Sequence, residues 1–179
     1  MKPWRRTGSQ RVERCGIFDL DRVDFQSPDG DPARPFYVID CPDWINVIPL
    51  TASGEVLLVR QFRFGIEDFT LEIPGGMCDP GETPAESARR ELREETGFEA
   101  ERLIEIGWVH PNPPVQNNRC YTFLARDVVQ VGPADPDPSE TLELVRVPLE
   151  SISRLISERK ITHGLVLAAF QLFERHGLP

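Results

Sequence analysis

Three glutamates, Glu91, Glu94 and Glu95, crowd into the last two turns of a segment, 84–96, that reads as one helix. Residues three and four apart share a helix face, so Glu91 stands beside both Glu94 and Glu95. Each like-charge pair costs about 0.2–0.5 kcal/mol on an exposed helix. Acidic groups near a C-terminal end also oppose the helix dipole, at about 0.3–1 kcal/mol each. Arg90 and Arg93 offset only part of this, so the arrangement is unfavourable until a cation sits among the carboxylates. Hard oxygen ligands facing an anionic substrate suit Mg2+ or Mn2+, which keep waters and accept phosphate oxygens. Charge alone favours the plainer account, a solvated acidic face. Ala85, Ala88 and Leu92 form an apolar stripe on the opposite side, suited to packing against a sheet. The helix would then present its carboxylates outward from a fixed platform.

The wider spacing decides between the two accounts. Gly76, five residues, Glu82, seven residues, then Arg90-Glu91-Leu92-Arg93-Glu94-Glu95-Thr96-Gly97-Phe98 follows G-x5-E-x7-R-E-U-x-E-E-x-G-U, the Nudix box, with U apolar. All seven fixed positions match, and Leu92 and Phe98 satisfy the apolar ones. The chain therefore resembles the Nudix hydrolases, which cleave nucleoside diphosphates linked to another moiety. The resemblance implies that Glu91 and Glu95 are the main metal ligands, assisted by Glu94 and the Gly75 carbonyl. It also implies that Glu82 and Arg90 pair to brace the loop against the helix. Gly76 and Gly81 would let that loop fold tightly, and Gly97 would end the helix.

Outside the box, Val59-Arg60-Gln61-Phe62-Arg63 and Leu71-Glu72-Ile73-Pro74-Gly75-Gly76 are similar to segments of one branch, the ADP-ribose pyrophosphatases and nucleoside-diphosphate-sugar hydrolases. Pro113 and Pro114 lie about where that branch has a proline beyond the box, and the stretch from Glu140 to the last helix is also similar. By that resemblance Arg60, Arg63 and Glu72 contact substrate. Arg63 is otherwise a surface arginine on an edge strand, although a guanidinium fork suits a diphosphate or ribose. Glu72 is equally readable as a buried ion-pair partner. The loop 110–119 departs from the branch's usual S-P-G-x-S-x-E, so Gln116, Asn117 and Asn118 could bond a different sugar or base. His110 reads as a strand-end residue. Glu140 matches the loop glutamate that activates water in the branch, with Asp137 as second choice and Glu143 as a strand residue; the alternative is a solvated acidic loop. Two or three Mg2+ ions would bridge the diphosphate, giving a nucleoside monophosphate and a sugar phosphate.

The elements that must position these groups are legible from periodicity and punctuation. Arg14–Phe25 and Arg34–Cys41 read as strands around the turn Ser27-Pro-Asp-Gly-Asp-Pro32. Trp44–Leu50 and Val56–Phe64 follow, joined at Thr51-Ala-Ser-Gly54 as a hairpin, and Phe69–Ile73 runs into the glycine pair. Thr83, Pro84 and Glu86 supply a capping box and a first-turn proline for the helix. Leu103–Val109, Arg119–Ala125 and Leu142–Val147 are further strands. Helices at about Leu149–Glu158 and about Thr162–Arg175 close the chain, the second capped by Thr162 and ended by Gly177. The sum is an α/β fold of the Nudix type, a mixed sheet between helices with antiparallel strands at the N-terminus. Residues 1–50 form a strand region within one domain, and 51–179 form the Nudix core.

Composition bounds the rest. A chain of 179 residues fits one domain with a core of ordinary size. The net charge of −9 argues against sequence-independent nucleic-acid binding, which needs Lys and Arg on phosphates. Cys15, Cys41, Cys78 and Cys120 lack metal-ligand or disulfide spacing and read as thiols of a reducing compartment. The basic start, 1–14, has no apolar h-region, and no apolar run reaches about 18 residues, so neither a signal peptide nor a membrane span is expected. A cytoplasmic enzyme is the working picture. By resemblance to the branch it is a homodimer whose N-terminal strands serve the partner. Two other readings remain: a Nudix activity on dinucleoside polyphosphates, coenzyme A, NADH or capped RNA, and a non-catalytic Nudix-like ligand sensor.

Overall fold

The computed structural model describes residues 1–136 and 141–177, which cluster into two compact units. The smaller comprises Met1–Pro42 and His110–Arg119. It is a three-stranded antiparallel sheet of β1 (Arg5–Arg14), β2 (Asp19–Gln26) and β3 (Arg34–Asp40), in that order. The expected single strand over Arg14–Phe25 is thus corrected to a hairpin. The chain turns at Cys15–Phe18, where the Cys15 N–H donates to the Phe18 carbonyl, and Gly16 takes a φ of 79°. β1 escaped sequence reading because its burial pattern is almost wholly exposed. No apolar alternation marks it, and cross-strand pairing to β2 holds it. Residues 110–119 are stitched to the end of β3 by Ile39 N–H to Val115 carbonyl at 2.7 Å.

The larger unit holds Asp43–Val109 and Cys120–Pro179. Its seven-stranded sheet is built on β4 (Trp44–Leu50), β5 (Glu55–Arg63), β9 (Leu103–Val109), β10 (Cys120–Arg126) and β12 (Leu142–Pro148), in the order β12-β5-β4-β10-β9. Two further strands attach at one end: β6 (Asp68–Glu72) pairs with β5, and the short β7 (Gly75–Met77) pairs with β4. β4 and β10 run parallel, and the other pairs are antiparallel. The turn at Thr51–Gly54 closes with Thr51 N–H to Glu55 carbonyl at 2.9 Å, with Gly54 at a φ of 81°. A two-stranded ladder of β8 (Phe98–Glu99) and β11 (Val129–Gln130), too short for any periodicity to betray, lies beside it in sequence.

β4 and β5 are near-continuous apolar runs because both of their faces are covered. Ile45, Val47 and Leu57 join Phe98, Phe123 and the buried Ala88 and Leu92 of α1 (Pro84–Thr96) in one core. Ile48, Leu50, Val56 and Leu58 join Val166, Ala169, Phe170 and Phe173 of α3 (Gly164–His176) in the other. Odd residues of β4 therefore face α1 and even ones face α3. Burying a residue such as Leu92 stabilises by about 1.5–3 kcal/mol, so packing, not helix propensity, fixes where α1 lies.

Two helix boundaries are corrected. The segment expected as a helix over Leu149–Glu158 opens as a 3-10 turn, Leu149–Ser151, before α2 (Ile152–Ser157). No side chain caps α2, and the tighter turn supplies the Ile152 N–H with the Leu149 carbonyl. In α3 the cap is His163 rather than Thr162: its Nδ1 accepts the Leu165 N–H at 3.3 Å. Among the described residues, no helix is long and apolar enough to cross a membrane.

Candidate active site

The loop before α1 and the helix itself are locked by local chemistry. Thr83 has extended backbone and accepts the Glu86 N–H, while the Glu86 carboxylate accepts the Thr83 N–H at 2.7 Å. These bonds hold Glu86 below the ordinary carboxylate range. At the other end Gly97 adopts a left-handed φ of 74° and donates to the Arg93 carbonyl at 2.8 Å. A Cβ there would also lie 2.3 Å from the Gly132 carbonyl, so Gly97 is required for space as well as for φ.

Ser87 and Arg90 tie this helix back to its own loop. Arg90 Nε lies 3.1 Å from Glu82 Oε1, Nη2 lies 3.1 Å from Glu82 Oε2, and Nη2 also donates to the Met77 carbonyl at 3.1 Å. Ser87 Oγ donates to Glu82 at 2.7 Å. Hydrogen bonds from Arg90 and then Ser87 bring the Glu82 carboxyl down to about 2. Glu82 in turn, with Glu91 and Glu94, holds Arg90 firmly protonated.

The carboxylates are less outward than sequence reading expected. Glu95 is only 2 % exposed, and its Oε2 accepts the Gly75 N–H at 3.1 Å. The Glu91 side chain is 12 % exposed and lies against Gly76, where a Cβ would meet Oε1 at 2.2 Å. Only Glu94, at 42 %, faces solvent freely. The helix turns this flank towards β7 rather than away from the sheet, because β7 carries no side chain at either glycine. The Arg90 Nη1 group donates to Glu91 Oε1 at 2.9 Å and to Glu94 Oε2 at 3.0 Å, so a guanidinium already stands between two acids.

Among the described residues no three His, Cys, Asp or Glu side chains are gathered as a finished cage. The donor set nonetheless fits a hard divalent ion. Glu91 and Glu95 are brought to the same glycine pair, Glu94 is linked to Glu91 through one cationic group, and a Cβ on Gly76 would fill the space the Glu91 carboxylate uses.

A second polar cluster lies on β5 and β6. Glu72, 3 % exposed, takes a bidentate fork from Arg63, Nε to Oε1 at 2.8 Å and Nη2 to Oε2 at 2.7 Å. Thr70 Oγ1 donates to the same carboxylate, and His163 Nε2 is 3.9 Å away. Burial pushes the Glu72 carboxyl up, but Arg63, with Thr70 and His163, outweighs it and holds the group below its ordinary value of 4.5. Arg60 is not brought to this cluster. It lies on the other face of β5, 3.1 Å from Glu143 Oε2 and over the Phe69 ring at 4.2 Å. Glu143 itself is a residue of β12.

In the smaller unit, Gln116 and Asn118 are both engaged with the end of β3. Gln116 Nε2 approaches Cys41 Sγ at 3.9 Å, and Asn117 Nδ2 donates to Asp40 at 2.6 Å. Asn118 Nδ2 donates to the Pro42 carbonyl at 3.0 Å, while its buried Oδ1 has no hydrogen-bond partner among the described residues. His110 Nδ1 is 3.3 Å from the Asn118 carbonyl. Glu140 and Asp137 lie outside the described residues. Sequence reasoning passed over Thr70, Ser87, Asn46 and His163. The one signal for Asn46 was an amide in the otherwise apolar run Trp44–Leu50.

Comparison with known proteins follows the same residues. A family model described as "NUDIX domain" matches residues 43–170. An ADP-ribose pyrophosphatase of Bacillus subtilis (strain 168) is 30 % identical over 159 residues, 88 % of this chain and 85 % of the relative. ADP compounds hydrolase NudE of Escherichia coli (strain K12) is 28 % identical over 152 residues, 83 % and 80 % of the two chains. A crystal structure of an ADP compounds hydrolase superposes with a TM-score of 0.85, covering 98 % of this chain and 94 % of that one. At 24 % identity that likeness speaks for the fold.

Proposed function

Because the chain belongs to the Nudix hydrolase family, we propose that it hydrolyses the diphosphate bond of a nucleoside diphosphate sugar of the ADP-ribose or GDP-mannose type. The products are a nucleoside monophosphate and a sugar phosphate. The observation that carries the reading is the meeting of Glu91 and Glu95 with Gly75–Gly76, a glycine pair with no side chain to block them. Similarity to enzymes named for ADP-ribose and ADP compounds supports the substrate class. The changed loop 110–119 leaves room for a different sugar.

Nudix hydrolases use divalent metal ions as a family; here Mg2+, with Mn2+ as substitute, would be held by Glu91, Glu94, Glu95 and the Gly75 carbonyl. Such an ion, when bound, offsets the charge of the diphosphate and polarises its oxygens. The chain's own groups do the rest. The Gly75 N–H fixes one Glu95 oxygen and so orients the other. Arg90 ties Glu91 and Glu94 to Glu82, holding acids that repel one another in one place. Arg63, the last residue of β5, its fork fixed by the buried Glu72, presents a preset cation for a phosphate or ribose. Arg60, Gln116 and Asn118 are further substrate contacts in this reading, and Glu140 orients or deprotonates the attacking water.

The protein works as a homodimer in this reading, the N-terminal strands within residues 1–50 contributing to the partner's site and 51–179 forming the Nudix core. The exposed Phe36 of β3, packed edge-on against Trp4 and Phe25, supports it, since a small sheet needs a covered apolar face. The cytoplasm is its place, in keeping with four free thiols, and the charge of −9 speaks against a nucleic-acid partner.

The test is product release from ADP-ribose, GDP-mannose, UDP-glucose, Ap4A and NADH with Mg2+, beside Glu95→Gln and Glu140→Gln. Turnover of a sugar conjugate that collapses in Glu95→Gln is expected, and it ranks the sugars. Tight binding without turnover by the wild-type protein would overturn catalysis and favour a sensor.

A further inference from the structure

Asn46 is the one amide in β4, between Ile45 and Val47, both essentially inaccessible, and it is itself 9 % exposed. A buried amide is costly unless its hydrogen bonds are made. Asn46 Nδ2 makes one at 3.3 Å to the carbonyl of Leu165, 119 residues away in the first turn of α3. On the same face of the sheet the Asn46 side chain lies across Gly75, its partner in the β4–β7 ladder: a Cβ on Gly75 would stand 2.7 Å from Asn46 Oδ1. Gly75 thus lies between Asn46, its ladder partner, which leaves no room for a side chain on the α3 face, and Glu95 of α1, which accepts its N–H. The start of α3 also comes close to the same segment, its cap His163 standing 3.9 Å from Glu72.

We propose that Asn46 is a positioning residue for the metal-binding carboxylates. By tying the first turn of α3 to β4 it holds segment 72–76 in place, and with it the Gly75 N–H that orients Glu95. The inference rests on the metal role given above to Glu91 and Glu95. It goes beyond that role in assigning work to a residue on the opposite face of the sheet from α1. The path is short: the Leu165 carbonyl accepts from the Asn46 amide, Asn46 is the ladder partner of Gly75, and the Gly75 N–H donates to Glu95. Groups that orient metal ligands in this way typically change metal affinity or activity by about 10–100-fold when removed.

The experiment compares Asn46→Ala, Asn46→Asp and Phe173→Leu with wild type. Asn46→Asp keeps the side-chain shape and replaces the donor to Leu165 by a carboxylate oxygen that repels the Leu165 carbonyl. Phe173→Leu loosens the α3 core without touching the contact chain. Mn2+ binding is read by calorimetry without substrate, kcat and KM on the best sugar conjugate, and Tm by thermal unfolding. Both Asn46 variants are expected to weaken Mn2+ binding by about 10–100-fold and to lower kcat with KM little changed. Phe173→Leu is expected to lower Tm and leave Mn2+ affinity unchanged. Wild-type affinity in both Asn46 variants would overturn the proposal, and so would Mn2+ affinity falling in step with Tm across all three. Wild-type protein that binds Mn2+ but turns over nothing would refute the catalytic reading alone, because the Mn2+ comparison still decides this one.

Discussion

Replacing Gly76 by alanine would set a methyl group 2.2 Å from Glu91 Oε1, 2.6 Å from its Cδ and 3.1 Å from Oε2. Ordinary contact between such atoms needs about 3.5 Å, so the carboxylate must retreat by about 1 Å. What it meets is the end of a flexible side chain, not backbone, and Glu91 can swing at a rotamer cost of about 0.5–1.5 kcal/mol. In a chain of this length that lowers Tm by only a few degrees, at about 2–4 °C per kcal/mol. Catalytic geometry is far less forgiving, since a displacement of about 1 Å can cost about 100-fold in rate. Gly76→Ala is therefore expected to stay folded and lose about 10–100-fold in kcat. Gly75→Ala gives the contrast. Its methyl would lie 2.4 Å from the backbone carbonyl of Ile45, which cannot move without opening the β4–β7 ladder. Overpacking of that kind costs about 1–3 kcal/mol, so here stability falls along with activity. Steady-state hydrolysis at saturating Mg2+ and thermal unfolding on the same preparations separate the two. A folded Gly76→Ala protein with wild-type turnover would refute the reasoning.

Other perturbations test the scaffold. Thr83→Ala removes one half of the capping box and should lower stability by about 1 kcal/mol, seen as a Tm drop of about 2–4 °C with kcat nearly intact; an unchanged Tm would mean the cap is redundant. Glu82 titrates at about 2 in the folded chain against an ordinary 4.5. A depressed carboxyl contributes stability that is fully present above pH 4.5 and is lost as pH falls towards 2, so Glu82→Gln should be less stable than wild type at neutral pH and converge with it in acid. Parallel denaturation curves over the whole pH range would contradict the pairing with Arg90. Burial raises the Cys120 thiol to about 12, whereas Cys15 is exposed. Iodoacetamide at pH 8 should therefore label Cys15 long before Cys120, with mass spectrometry as readout, and equal rates would show that β10 opens readily.

Much of the larger unit was legible because its signals are local and strong. The strand Trp44–Leu50, the helix Pro84–Thr96 and the strand Leu103–Val109 appear with the bounds that periodicity and capping residues indicate. β1 was not legible, since its residues alternate nothing apolar and its order comes from pairing with β2. The start of α3 was misplaced because threonine is the commoner cap, while the actual choice rests on which side chain reaches the Leu165 N–H. At the candidate site, residue types and spacing identified the acids but could not tell how far the helix would be turned. That depends on Gly75 and Gly76 lying under Glu95 and Glu91, a tertiary fact. The Arg63–Glu72 fork was readable as a possibility from residue type, and only geometry joins the two.

The electrostatic penalty in α1 and the site's usefulness have one origin. Three acids at a helix C-terminus cost about 0.3–1 kcal/mol each against the dipole and about 0.2–0.5 kcal/mol per adjacent pair. Burial of Leu92 alone, at about 1.5–3 kcal/mol, and the capping box, at about 1 kcal/mol, are of the same size or larger. The helix is thus anchored by one face and one end, and its acidic flank is free to be unfavourable. Arg90 softens that flank without neutralising it: one guanidinium contacts Glu82, Glu91 and Glu94, while Glu95 accepts the Gly75 N–H. A divalent ion entering beside Glu95 would meet negative charge that the fold has already confined and only partly compensated. The cost of gathering the carboxylates is met in folding, so it need not be met again when the ion binds.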